Sequence, residues 1–351
     1  MKTYLLPENA TYYKANMHSH SMVSDGNFTP EEMKEVYKAQ GYSIVAYTDH
    51  DVIVDHSDLT DESFVALTGT EYSIADHDVS PIALCGTSGA DMPFNMKKVV
   101  HMNLFAKDPH NTYHTSYNPK YIWGRARNHT PDEAHRDGDD YERVLSAEGL
   151  NDMIRRANEA GFFVCFNHPY WSNNRLIDLE NLEGLHSLEV YNYAADYNGG
   201  MDYCIDDYEW LLRAGKRLFP MAGDDNHNWM KETDTSFGGY TMIAAPALTY
   251  ENVIDSLLAG NFYICVGRGA PEIKNLYVED NRLYVDFSPA EAVYVNTAGR
   301  ATMAAHAKPG EIFTHAEFDL KDEFIYFRVT VQDDCRRRAH TGAYYTKDVL
   351  Q

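Results

Sequence analysis

Two runs near the start of the chain carry side chains that bind divalent metals. His18-Ser19-His20 and Asp49-His50-Asp51 each follow an apolar segment, and Asp25-Gly26 falls between them. Further along stand Glu71 after Gly69-Thr70, and His101 inside Val-Val-His-Met-Asn-Leu-Phe. His168 follows in Asn-His-Pro, and Asp225 and His227 in Asp-Asp-Asn-His. Imidazole nitrogens and carboxylate oxygens are ligands for hard-to-borderline divalent cations. Taken singly these runs say little. Alternate residues of a strand point to opposite faces, so His18 and His20 serve one metal only where the strand unravels into a loop. Asp25-Gly26 is also an ordinary turn, and His101 in an apolar strand needs a partner of some kind. Jointly they say more, because six apolar runs carry metal-type residues in the order H-x-H, D-H, E, H, H, D-x-H. Glu71 is a candidate shared ligand, since a carboxylate bridges two cations well.

Elements that position these residues follow from the pattern. Thr29 is an N-cap, Pro30 suits the first turn, and Glu31 and Glu32 suit its positive end. Met33, Val36, Tyr37 and Gln40 continue at helical spacing to Gly41. Ser146 caps a second helix through Leu150, Met153, Ile154 and Ala157 to Gly161. Strands are expected over Thr11–Met17, Tyr42–Tyr47, Ser63–Thr70, Lys97–Ala106, Phe162–Asn167, Ser187–Asn192 and Leu218–Gly223, with further helices around Tyr208–Arg213 and Thr249–Ala259. This alternation predicts a parallel α/β architecture, and seven strands, most tipped by a His, Asp or Glu, predict a barrel rather than an open sheet. The polar stretch 107–145 is expected to be an inserted loop. After about Pro271, short alternating runs without helices predict a small antiparallel β domain, sandwich-like, over 271–351.

Bulk properties narrow the function. The 351 residues carry 30 Lys and Arg against 53 Asp and Glu, a formal charge of −23. Nucleic acid and anionic membranes are poor partners for such a chain, because binding them needs Lys and Arg. A small-molecule substrate is expected. The N-terminal Met-Lys-Thr-Tyr-Leu-Leu-Pro-Glu-Asn does not read as a signal peptide, and no stretch is apolar enough to span a bilayer. Five cysteines (Cys85, Cys165, Cys204, Cys265, Cys335), widely spaced and without a C-x-x-C pair, predict buried thiols and a cytoplasmic protein.

The runs H-S-H, S-D-G, T-D-H-D, G-T-E, H-M-N-L-F, N-H-P and G-D-D-N-H, in this order over residues 12–270, resemble the motif series of the PHP (polymerase and histidinol phosphatase) superfamily. The resemblance implies a distorted seven-stranded (β/α) TIM-like barrel over 1–270 and a site for two or three divalent ions, with Zn, Mn and Fe all admissible. By resemblance, His18, His20, Glu71 and Asp225 hold one ion. Glu71 bridges to a second with His101 and His168, for which His77 is the alternative to His101. Asp25, His50 and His227 hold a third, with Asp25 standing where some relatives have His. The spacing in G-D-D-N-H favours Asp225 over Asp224. The tail resembles a subgroup with an appended β domain.

The expected chemistry is hydrolysis of a small phosphorylated metabolite by a metal-bound hydroxide, with Asp49, His50 and His227 in catalytic roles. Asp49 is expected to orient His50. Arg175 and Arg268 are candidate phosphate contacts, because a guanidinium matches phosphate geometry. Two alternatives are hydrolysis of carboxyl or carbamate-type esters or amides at the same site, and a non-catalytic, metal-stapled binding module. An exonuclease is disfavoured by the charge.

Overall fold

The computed structural model describes residues 2–75 and 98–350, so His77 and Cys85 lie outside the described residues. After a short β1 (Lys2–Tyr4), the chain lays down β2 (Thr11–Asn16), β3 (Ile44–Tyr47), β4 (Val65–Ala75), β5 (Val99–Ala106), β6 (Phe162–Phe166), β7 (Ser187–Asn192) and β8 (Phe219–Gly223). β2 through β8 are the seven expected strands, and they neighbour one another in that order. β3, β6 and β7 are buried at every residue, as strands covered on both faces are.

Two features differ from expectation. β5 runs antiparallel to both β4 and β6, whereas the pairs β2–β3, β3–β4, β6–β7 and β7–β8 are parallel. The rim therefore meets β5 at its N-terminal end. A closed barrel is also not shown. Along its outer edge β2 pairs with an antiparallel strand, β9 (Gly239–Ala245), through Thr11–Ala15. Only beyond that stretch does the chain reach β8, in the isolated bridge Ser19–Asn226 and the hydrogen bonds His20 N to Asn226 O (3.1 Å) and Asp225 N to His18 O (2.9 Å). The sheet's ends thus meet at the rim that carries the ligand-type residues.

The helices form where the sequence places their caps. α1 (Pro30–Lys38) has a capping box: Thr29 Oγ1 accepts from Glu32 N, and Thr29 N donates to Glu32. α2 (Ala147–Glu159) is capped by Ser146 and buries Leu150, Met153, Ile154 and Ala157 with Phe162, Val164 and Phe166 of β6. The short α3 (Leu176–Leu179) and α4 (Tyr193–Gly199) follow, then α5 (Ile205–Arg213) and α6 (Tyr250–Ala259). No helix among the described residues is long and apolar enough to cross a membrane.

The 107–145 insert contains only short 3-10 turns, yet it is packed. Tyr117, Ile122 and Ala126 bury against Val23 and Val52 of the loops after β2 and β3. Arg143 pairs with Asp51 and donates to Ser73 O at 2.8 Å. Arg125 donates to Ser24 O at 2.9 Å and to Gly26 O.

The remaining strands are antiparallel: β10 (Phe262–Val266), β11 (Ile273–Glu279), β12 (Arg282–Ala290), β13 (Ala292–Thr297), β14 (Met303–His306), β15 (Phe313–Asp319), β16 (Tyr326–Gln332), β17 (Arg338–Thr341) and β18 (Tyr344–Tyr345). One sheet runs β1–β11–β12–β15. The other runs β14–β13–β16–β17 and continues through β10 and β9 into β2. Leu276, Val278, Leu283 and Val285 of the first share a core with Val293, Val295, Phe327 and Val329 of the second. The buried pair Glu209–Arg328, joined by Tyr326 Oη at 3.0 Å, fastens α5 to β16.

Candidate metal centre

The loop after β2 is folded back on itself by one carboxylate. Asp49 accepts from Ser21 N (2.8 Å), Ser21 Oγ (2.7 Å), Ser24 N (3.0 Å) and Ser24 Oγ (2.7 Å). Gly26 closes the turn so tightly that a Cβ there would lie 2.0 Å from His20 O. Ser19 turns outward to Ala46 O at 2.6 Å, while His18 and His20 both turn inward with ring centroids 5.3 Å apart. This resolves the H-x-H problem as expected, by unravelling past the strand end. It also corrects the role of Asp49, whose oxygens are engaged by the serine loop rather than by His50.

Three groups of ligand-type atoms converge, each within 4.8 Å: His18, His20, Glu71 and Asp225; Glu71, His101 and His168; and His20, Asp25, His50 and His227. Glu71 lies at their centre. Its oxygens are 3.2 Å from His18 Nε2, 3.3 Å from His20 Nε2, 3.2 Å from His50 Nδ1, 3.1 Å from His101 Nδ1 and 3.0 Å from His168 Nε2. Asp225 Oδ1 is 2.9 Å from His20 Nε2 and 3.3 Å from His18 Nε2. Asp25 Oδ2 is 3.2 Å from His227 Nε2 and 3.9 Å from His50 Nε2. His20 also belongs with this third group, since its ring stacks on His50 at 4.4 Å and on His227 at 4.3 Å. All nine ligand residues expected from the sequence are therefore brought together. His101 enters from β5, opposite Ser73 of β4, so it reaches the rim from the strand running the other way.

These residues fit divalent ions on a specific observation. His18 Nε2, both ring nitrogens of His20 and Asp225 Oδ1 are buried and make no hydrogen bond, although oppositely charged atoms lie within about 3 Å. Their lone pairs do not aim at one another. Ligands at about 2.05 Å around a tetrahedral ion are about 3.3 Å apart, which is the spacing seen here. Most buried polar atoms find partners, and here four unpartnered atoms from three side chains lie together.

A second layer, in which the sequence suggested no role, orients the ligands. Glu189 Oε1 meets His18 Nδ1 at 2.9 Å, and Glu189 Oε2 accepts from His168 N (2.9 Å) and Asn192 Nδ2 (3.1 Å). Asn167 Nδ2 donates to Glu71 Oε1 at 2.8 Å, and Ser172 Oγ meets His168 Nδ1 at 2.9 Å. The signal for Glu189 was a lone carboxylate inside the apolar run Ser-Leu-Glu-Val-Tyr-Asn. His168 and Asp225 hold positive φ, 22° and 53°, which turns their side chains into the cluster.

Charge within the cluster is self-balanced. Burial opposes protonation of His20 and His168, but the carboxylates of Asp225 and Glu71 outweigh it and push them up to about 10 and about 9. His18 is raised likewise by Asp225, Glu71 and Glu189 against its burial. Burial and the neighbouring His20 push His50 down to about 3, leaving it neutral. Glu71 and Asp225 sit well below the usual carboxylate range, because the surrounding imidazoles overcome the cost of burial. Asp224 points away, accepting from Phe237 N, Gly238 N, Gly239 N and Tyr37 Oη.

Neither candidate phosphate contact reaches the centre. Arg175 is an exposed side chain 3.8 Å from Asp178. Arg268 donates to the carbonyls of Thr233, Asp234 and Ser236 and lies over Tyr193. Arg268 is held by these carbonyls, whereas the Arg175 guanidinium stands in solvent.

No family model and no curated protein matches the chain. Solved structures do. A two-domain protein from Bacteroides vulgatus, containing a predicted PHP-like metal-dependent phosphoesterase, aligns over 97% of this chain and 98% of its own at 14% identity and a TM-score of 0.47. A metal-dependent phosphoesterase candidate from Bifidobacterium adolescentis covers 63% of this chain and 89% of its own, at 17% identity and a TM-score of 0.34. An amidohydrolase from Chromobacterium violaceum, solved with sulfate and no metal, covers 61% and 87% (16% identity, TM-score 0.38).

Proposed function

We propose that the chain is a metal-dependent hydrolase, and that its reaction is cleavage of a small phosphoester. The observation that supports this reading is the set of unpartnered, buried nitrogen and oxygen atoms gathered around Glu71. His18, His20, Glu71 and Asp225 would hold one divalent ion, Glu71, His101 and His168 a second, and His20, Asp25, His50 and His227 a third. Such ions, when bound, supply Lewis acidity, acidify a water and neutralise charge on the attacked centre. The protein's own contribution is to fix these side chains. Glu189 holds His18 and the His168 backbone, and Asp49 holds the loop bearing His20 and Asp25. His50 and His227 line the outer side of the cluster, where a substrate arrives.

A second reading, hydrolysis of a carboxyl or carbamate-type ester or amide, is favoured by one observation: Arg175 and Arg268 lie away from the centre, and an acyl substrate needs no guanidinium. Both readings are tested by assaying phosphomonoesters, phosphodiesters and carboxyl esters with metal-loaded and chelator-treated protein. His18→Ala and Asp225→Ala are expected to abolish turnover and lower metal content. Equal turnover by stripped and loaded protein overturns the proposal.

A further inference from the structure

Three of the chain's four tryptophans touch imidazoles of the metal centre, and each is far from buried. Trp123, on the insert, lies 5.5 Å from the His50 ring and is 44% exposed. Trp171 lies 5.1 Å from His168 and 5.9 Å from His101 and is 45% exposed. Trp229 stacks on His227 at 6.2 Å, only 8° from parallel, and is 66% exposed. They come from three separate loops, so their convergence is not a consequence of one local sequence. Exposed indoles around a polar centre leave apolar faces in water, a cost that a flat ligand removes.

What else borders the centre narrows the ligand. Among the described residues, several polar groups beside the indoles already have partners within the protein. Arg125 donates to Ser24 O and Gly26 O, Asp202 accepts from Tyr170 N and Trp171 N, and Ser172 meets His168. A sugar stacks on indole too, but its hydroxyls need polar partners of their own. A flat, uncharged ring needs only the π faces.

We propose that the mouth of the metal centre is a binding site for a planar aromatic group, so that the substrate is an ester with one reacting head at the metals and an aryl or heteroaryl body against Trp123, Trp171 and Trp229. This rests on the hydrolase reading of the centre and names its substrate class.

Binding, rather than turnover, separates the two. Full-length zinc-loaded protein is titrated with phenylphosphonate, methylphosphonate and glucose 6-phosphate, following tryptophan fluorescence and, by calorimetry, affinity. Phenylphosphonate is expected to quench the indoles and bind about 10-fold more tightly than methylphosphonate. Trp171→Leu and Trp229→Leu are each expected to weaken phenylphosphonate by about 3- to 10-fold, leave methylphosphonate unchanged and keep the metal content, with Phe at either position restoring most of the loss. Trp210→Leu, on α5, serves as the control that changes nothing. Equal affinities for the two phosphonates, or tighter binding of the sugar phosphate, overturn the proposal even if esters are hydrolysed. Selective phenylphosphonate binding without hydrolysis of any ester sustains it and sinks the hydrolase reading instead.

Discussion

Glu71→Gln is the sharpest test of the shared carboxylate. The side chain is 1% exposed and its oxygens lie 3.0–3.3 Å from five imidazole nitrogens. Glutamine keeps the shape and an oxygen able to accept from Asn167 Nδ2, now at 2.8 Å, so the fold should survive. What it loses is one unit of charge facing the cations. Two unit charges about 4 Å apart interact by about 4 kcal/mol at an effective dielectric of about 20. A divalent ion doubles that, and the amide dipole recovers part, so about 4 kcal/mol, or about 10³-fold in affinity, is a conservative loss. The assay is metal content after dialysis against a graded series of zinc buffers, with circular dichroism to confirm folding. Because Glu71 adjoins two of the three groups, two ions should weaken together. A folded Glu71→Gln protein that loses only one ion, or binds all within tenfold of the parent, refutes the shared role.

Other perturbations separate the groups. Asp25→Ala should lower metal stoichiometry by one and leave the ions at the other two groups in place, read by elemental analysis; loss of every ion would contradict the grouping. Glu189→Gln should weaken metal binding by about 10- to 100-fold with the fold retained, as expected when a ligand's orienting partner is removed. Arg328→Met, which strands Glu209 in the interior, should cost about 3–5 kcal/mol in denaturant unfolding, and an unchanged midpoint would count against the pair as a fastening.

Much of the site was legible because its chemistry is carried by residue type at strand ends. His18, His20, Asp49, His50, His168 and Asp225 all follow apolar runs, and those runs are the observed strands. The misreadings share a cause: sequence names the residue before a loop but not the direction its side chain takes. Asp49 looked like a partner for its neighbour His50, yet the serines at 21 and 24 offer it four donors. Arg268 has the right chemistry for phosphate but is captured by the carbonyls of Thr233, Asp234 and Ser236. Strand direction was hidden as well. His101 reads as one more strand-borne ligand, and only the antiparallel register with β4 shows it entering from the opposite end. Glu189, inside an apolar run, was given no role, and its partner His18 comes beside it only when β2 and β7 meet.

The metal-free protein should respond to pH in a way that its metal-loaded form does not. Folded His20 and His168 are raised to about 10 and about 9 from an ordinary 6.5. Groups raised on folding contribute stability that is complete below about 6.5 and is lost as pH climbs through 9 and 10. Glu71 and Asp225 are depressed, so their contribution is complete above the usual carboxylate range and is lost in acid. The stripped protein should therefore melt highest between about pH 5 and 6.5, and its Tm should fall steadily from there to pH 10. Bound ions need neutral imidazoles, so saturating zinc should flatten the alkaline limb and release protons on binding near neutrality, measurable by calorimetry in buffers of differing ionisation enthalpy. A stripped protein whose Tm is flat or rises from pH 6.5 to 10 would show that imidazolium–carboxylate pairs do not hold the empty cluster together. The same balance explains where the nearby guanidinium groups lie. A free Arg beside Glu71 and Asp225 would compete with the cations for the same oxygens. Arg125 and Arg268 are turned to backbone carbonyls, and Arg143 to Asp51 and Ser73 O, which leaves the cluster's carboxylates to the imidazoles and the ions they share.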